Sequence, residues 1–146
     1  MHENFYHNVK VYYEDTDAGG VVYYANYLKY LERARTEALA SVGFSNYKIK
    51  EKFGALIVVK SCNIEYKKPA FLEDDLNIRS FVKSITRTSF FMNQFITRDK
   101  TPIVEAKVHV VFVNEKGKPI KVPNLIFDNF KPYFCDTIKS QKFFLL

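Results

Sequence analysis

Residues 14–30 read EDTDAGGVVYYANYLKY, and the change of character inside this stretch decides the fold. Its first half carries the carboxylates of Glu14, Asp15 and Asp17, then Gly19 and Gly20, which let the backbone turn through conformations closed to other residues. Its second half opens an amphipathic run, YYANYLKYLERARTEALASV, that stops at Gly43. From Ala25 to Val42 the apolar residues Tyr27, Leu28, Leu31, Ala34, Ala38, Leu39 and Val42 keep the 3-4 alternation of one buried helical face. Lys29, Glu32, Arg33 and Glu37 take the other face, with Arg33 and Glu37 spaced as an i,i+4 pair. The spacing predicts a helix whose unpaired N–H groups and positive dipole end follow directly on the acids.

On either side of that helix the period is that of strands. Val9–Tyr13 is a short β-prone run feeding the acidic turn, and Phe44–Gly54 reads as a polar, lysine-rich connection. Strands are expected at Ile57–Tyr66, ended by Lys67-Lys68-Pro69, at Leu76–Ile85, and at Ser89–Thr97 after a turn at Thr86–Thr88. The clearest is Ile103–Val113, where Val104, Ala106, Val108, Val110 and Phe112 alternate with Glu105, Lys107 and His109. Pro123 opens a short helix through Phe130, and the terminal Phe143-Phe144-Leu145-Leu146 is expected to dock on the body or on a partner subunit. One strand, one long helix and four consecutive strands make an α+β fold with a largely antiparallel sheet, one face of which the helix covers. The uncovered face is a reason to expect oligomerisation.

A chain of 146 residues fits a single domain, 1–146, with a sizeable core. Fourteen Phe and ten Tyr suit a sheet, a lipid-sized pocket or a subunit interface. The formal charge of +6 favours anionic partners without choosing among nucleic acid, a membrane face, an acidic carrier protein or a phosphate-bearing cofactor. Cys62 and Cys135 lie far apart, with neither disulfide nor zinc spacing, which points to a reducing cytoplasm. The N-terminus lacks an apolar signal core and no apolar run nears a membrane span, so at most peripheral membrane contact is expected.

The acidic cluster fails two tests of spacing. An EF-hand loop starting at Asp15 needs Glu where Asn26 stands, and a phosphate loop needs GK[ST] after the glycines. Two readings stand. In one, the carboxylates make turns and favour the helix N-terminus; in the other, one carboxylate acts as nucleophile or general base on a carbonyl held by the N–H groups at the helix start. Elsewhere Cys62 has no basic neighbour in sequence, and His2, His7 and His109 belong to no motif.

Val11–Glu37, VYYEDTDAGGVVYYANYLKYLERARTE, resembles the signature of the 4-hydroxybenzoyl-CoA thioesterase family of hotdog-fold enzymes, in particular its Tol-Pal-associated acyl-CoA thioesterase branch. Weaker similarity continues through KSCNIEYKKPAFLEDDL (60–76) and SITRTSF (84–90). The resemblance implies a long central helix wrapped by a roughly five-stranded antiparallel sheet. It also implies protomers joined edge to edge, often as a dimer of dimers (a homotetramer), and metal-independent hydrolysis of acyl-CoA at sites in the dimer interface. The catalytic carboxylate falls on Asp17, and the backbone N–H that polarises the carbonyl falls near Tyr24. This branch often carries His where Tyr24 stands, so no side-chain role transfers there. Gly20 shapes the substrate turn. Coenzyme A, part of the substrate and the only cofactor-like group implied, falls to Arg87, Thr88 and Ser89, with Lys60 and Lys83 as helpers; several phosphates make such a basic cluster sensible.

Acyl carrier protein is a further partner that the basic surface would accept. A scaffold that recruits carrier or envelope proteins is the alternative of a different class. Hotdog dehydratase chemistry is disfavoured by the lack of His in the acidic stretch, and nucleic-acid binding rests on charge alone.

Overall fold

The computed structural model describes residues 3–134. His2, Cys135 and the Phe143–Leu146 tail lie outside them. Five strands, β1 (Phe5–Lys10), β2 (Leu56–Tyr66), β3 (Asp75–Ile85), β4 (Ser89–Arg98) and β5 (Thr101–Val113), form one antiparallel sheet in the order β1-β3-β4-β5-β2. Three helices accompany them, α1 (Asn26–Ser41), α2 (Asn46–Phe53) and α3 (Asn124–Phe130). The sheet wraps α1, as the resemblance implies.

The buried face of α1 consists of Tyr27, Tyr30, Leu31, Ala34, Ala38 and Leu39, which meet Ile78, Val82, Ile96 and Phe112 from the sheet. Full burial of the Leu, Ile, Val and Phe side chains among these is worth about 1.5–3 kcal/mol each. Leu28, expected in this stripe, is 46% exposed, and Tyr30 takes its place in the core at 0%. The expected and observed ends of α1 differ by one residue, which is the ordinary fraying of a helix terminus.

Two segments differ from expectation. The first strand lies at Phe5–Lys10, paired with β3 from Phe5↔Ser80 to Lys10↔Asp75, whereas Val9–Tyr13 was the β-prone run. The chain leaves the sheet early because Asp15 captures the Tyr12 N–H on its Oδ2 (2.9 Å) and folds Tyr13–Asp15 into a single 3-10 turn. The lysine-rich connection contains α2. Its start was written in Ser45, whose Oγ accepts the Lys48 N–H, and its end in Gly54 at φ +62°.

The Thr86–Thr88 turn falls where expected, with the Thr86 N–H donating to the Ser89 carbonyl between β3 and β4, and Asp99-Lys100, both at positive φ, join β4 to β5. At the free edge, β2 runs 11 residues with Val58 and Val59 41% and 49% exposed, an apolar strand edge of the kind that pairs with another chain.

Candidate active site

Asp15 and Asp17 sit two positions apart in opposite surroundings. Asp15 is buried; its carboxylate accepts the Tyr12 N–H and, at 2.6 Å, the Asn26 side-chain amide, while its carbonyl accepts the Tyr23 N–H at 3.0 Å. Burial alone would raise its pKa. The Tyr12 and Asn26 hydrogen bonds, the adjoining Tyr30 hydroxyl and the Arg33 charge outweigh that penalty and hold the carboxyl below its ordinary range. The buried Tyr30 hydroxyl lies against this carboxylate but outside good hydrogen-bonding geometry. Burial, then Asp15, push it far above the usual phenol range. Asp15 therefore clamps the acidic loop to the first turn of α1, a structural role that Asn26 completes. The signal for Asn26 was a polar residue inside the apolar stripe at the helix start.

Asp17 is exposed. Its Oδ1 accepts the Gly19 N–H at 2.8 Å, and its carbonyl accepts the Gly20 N–H at 3.0 Å, so the loop reverses tightly and Thr16 pairs with Val22. A Cβ at Gly19 would stand 3.3 Å from Asp17 Oδ1, crowding the carboxylate. Gly20 sits at φ +80° with open space around it. Gly20→Ala is therefore expected to cost only the left-handed backbone penalty, about 1–2 kcal/mol. Denaturant unfolding checks this, and a loss above about 3 kcal/mol would reveal a clash that the geometry lacks.

The loop rests on the 69–74 turn. Val22 donates to the Ala70 carbonyl and Ala70 to the Tyr27 hydroxyl (3.1 Å), while Arg98 ties the turn down through the Pro69 carbonyl and Asp74 Oδ2 (2.7 Å). On this base stands Tyr24, 61% exposed and set edge-on to Tyr66 with ring centroids 6.1 Å apart. Among the described residues no acceptor takes the N–H of Tyr24 or of Ala25. An exposed carboxylate and unclaimed N–H groups thus share one small hairpin at the head of α1. Such a pair can activate a nucleophile and hold a developing oxyanion.

The remaining sequence-predicted residues lie elsewhere. Arg87 is exposed and Thr88 half-buried in the β3–β4 turn, and Lys60 and Lys83 sit at bulges in β2 and β3. Ser89 is only 3% exposed, with its hydroxyl 2.6 Å from that of Thr86, so it is committed inside the turn. β3 starts beside the Asp17 loop, where Val11 donates to the Asp74 carbonyl, and ends at Ile85, two residues before Arg87. That length of strand, about 35 Å, keeps the two groups apart within one chain. Cys62, without a basic neighbour in sequence, has Arg35 near it in space; burial still raises the thiol against the pull of that charge. His109 stacks on Phe91 (centroids 3.9 Å) on the outer face of the sheet, with its Nε2 buried and unpartnered among the described residues.

Residues 11–130 match the thioesterase-like superfamily. An acyl-CoA thioester hydrolase, YbgC, of Escherichia coli O6:H1 is 43% identical over 125 residues, covering 84% of this chain and 92% of its own. The acyl-CoA thioesterase YbgC of Haemophilus influenzae is 40% identical over 116 residues, covering 79% and 85%. The crystal structure of a probable thioesterase from Bartonella henselae superposes with a TM-score of 0.80 at 34% identity, over 83% of this chain and all of that one. With the acidic hairpin at the head of a sheet-wrapped helix, these matches show that the chain belongs to the thioesterase-like superfamily of hotdog folds.

Proposed function

We propose that the protein hydrolyses acyl-CoA thioesters to a free acid and coenzyme A. The observation that carries this reading is the exposed Asp17 carboxylate beside the unclaimed N–H groups of Tyr24 and Ala25. The thioester carbonyl oxygen takes these donors, and negative charge developing on it is met by the positive end of α1. Asp17 then acts in one of two ways. As general base it takes a proton from water, whose oxygen attacks the carbonyl carbon; the C–S bond breaks and the thiolate leaves. As nucleophile its carboxylate oxygen forms a mixed anhydride as the thiolate leaves, and water then hydrolyses the anhydride. Neither route uses a resident cofactor.

A second copy completes the site in this reading. A two-fold axis pairs β2 antiparallel with itself, which sets the Leu56 end of one protomer beside the partner's Tyr66, and so beside the partner's catalytic hairpin. Arg87 and Thr88 belong to that same end of the sheet and are placed to meet the coenzyme A phosphates, with Lys83 and Lys60 nearby on the surface. The outer face, with its aromatic row of Phe91, Phe95 and His109, suits a dimer of dimers.

The test is a panel of short, long and aromatic acyl-CoAs followed by release of free thiol. Turnover of at least one class well above the uncatalysed rate is expected. No turnover across the panel, with retained binding of an acyl carrier protein, would make the protein a scaffold instead.

A further inference from the structure

A cavity of about 160 Å³ lies between the C-terminal half of α1 and the sheet. Ala38, Leu39, Ile57, Phe90, Val110 and Phe112 wall it with apolar surface. A space of about 150 Å³ with such walls is enough for a benzene-sized group. Two charged side chains interrupt the walls: Glu32, exposed at the mouth, and Arg35, which turns toward Gln94 of the sheet.

Arg35 is held in place. One guanidinium nitrogen donates to Gln94 Oε1 at 3.0 Å, and Gln94, wholly buried on β4, donates in turn to the Leu31 carbonyl and Ser80 Oγ, each at 3.0 Å. Gln94 is a neutral acceptor. The ion pairs among the described residues involve Lys67 and Arg98, not Arg35. Glu32, at the cavity mouth, attracts Arg35 from beyond ion-pairing distance, but it is exposed and accepts from the Thr36 hydroxyl at 3.1 Å. Burial draws the guanidinium below its ordinary pKa, which is what a desolvated cation without an anion experiences. Among the described residues, most of its five donors have no acceptor.

We infer that this cavity receives the far end of an acyl group that carries a carboxylate there, with Arg35 as its counter-ion. The inference rests on the thioesterase reading, in which β2 pairing sets the Ile57 end of one protomer beside the partner's catalytic hairpin. A carboxylate matches the planar fork of the guanidinium in a way that no contact among the described residues does, and apolar walls exclude the water that would screen the pair. A methyl-ended chain of equal length leaves Arg35 as it is in the free protein.

The test compares pentanoyl-CoA with glutaryl-CoA, equal in length and differing in the terminal carboxylate, in the wild-type protein and in Arg35→Met. Arg35→Met keeps the length of the half-buried side chain but leaves Gln94 Oε1 without its donor, a cost of about 1–3 kcal/mol, so the unfolding midpoint of the variant is measured beside its kinetics. The ratio of kcat/KM for glutaryl-CoA over pentanoyl-CoA is expected to fall about tenfold or more in Arg35→Met. In parallel, free glutarate should raise the melting temperature of the wild-type protein more than pentanoate does at equal concentration. This arm needs neither turnover nor the variant.

An unchanged ratio, or equal stabilisation by the two acids, would overturn the inference while leaving the thioesterase reading intact. Selective stabilisation by glutarate without turnover of either thioester would do the reverse, keeping the carboxylate site and removing the enzyme.

Discussion

Replacing Asp17 by asparagine is expected to lower kcat by about 10²–10⁴-fold, the range for loss of a positioned acid-base group, with the fold intact. Among the described residues the side chain makes one hydrogen bond, in which Oδ1 accepts the Gly19 N–H at 2.8 Å. An asparagine amide oxygen accepts the same bond, so the hairpin keeps its shape while losing its base and nucleophile. Unfolding midpoint and kcat are measured on the same preparation. Wild-type turnover in the variant would remove Asp17 from the chemistry. In the wild-type protein, one turnover in ¹⁸O-labelled water separates the two routes. A mixed anhydride opened at the Asp17 carbonyl leaves label in the aspartate, whereas direct attack by water leaves it in the released acid alone.

Replacing Asp15 by alanine should produce the largest loss of stability among the acids of the motif, about 2–5 kcal/mol. The Tyr12 N–H and the Asn26 amide lose their acceptor in a site where water is scarce, and each orphaned donor costs about 1–3 kcal/mol. Activity should fall as well, because the tie between the acidic loop and α1 is cut. The acid dependence of stability carries a matching signature. Asp15 has a folded pKa below its unfolded value, so its contribution is fully present above the ordinary carboxylate pKa and is lost as pH falls through the folded one. Asp15→Asn, which cannot titrate, should flatten that acid limb in melting temperature measured from pH 6 downward. An identical limb in both proteins would mean that Asp15 does not carry it.

These two acids also mark how far the sequence could be read. Composition and spacing could not separate Asp15 from Asp17, since both are acids ahead of a helix. Their difference lies in Asn26 and Tyr30, which reach Asp15 only once α1 has wound. The helix itself was legible because Tyr27, Leu31, Ala34 and Ala38 keep one face over several turns. α2 was not, because it buries only Ile49 and leaves no stripe among its lysines; its caps, Ser45 and Gly54, were the readable part. The strand before the motif was displaced by a side chain, with Asp15 taking the Tyr12 N–H that a longer strand would have placed in the ladder. The helical spacing assigned Arg35 to neither face. Its meaning depends on Gln94, 59 positions away, and on walls drawn from three strands.

The proposed chemistry and the proposed selectivity occupy two stations on one rigid helix. Tyr24 stands at the head of α1 and Arg35 about three turns along it, roughly 16 Å away. Packed side chains fill the interval and the two share no hydrogen-bond partner. Because each substrate in this reading joins the hairpin of one protomer to the Arg35 cavity of its partner, a mixed dimer of one hairpin-defective chain and one cavity-defective chain should keep one site with neither defect and one site with both.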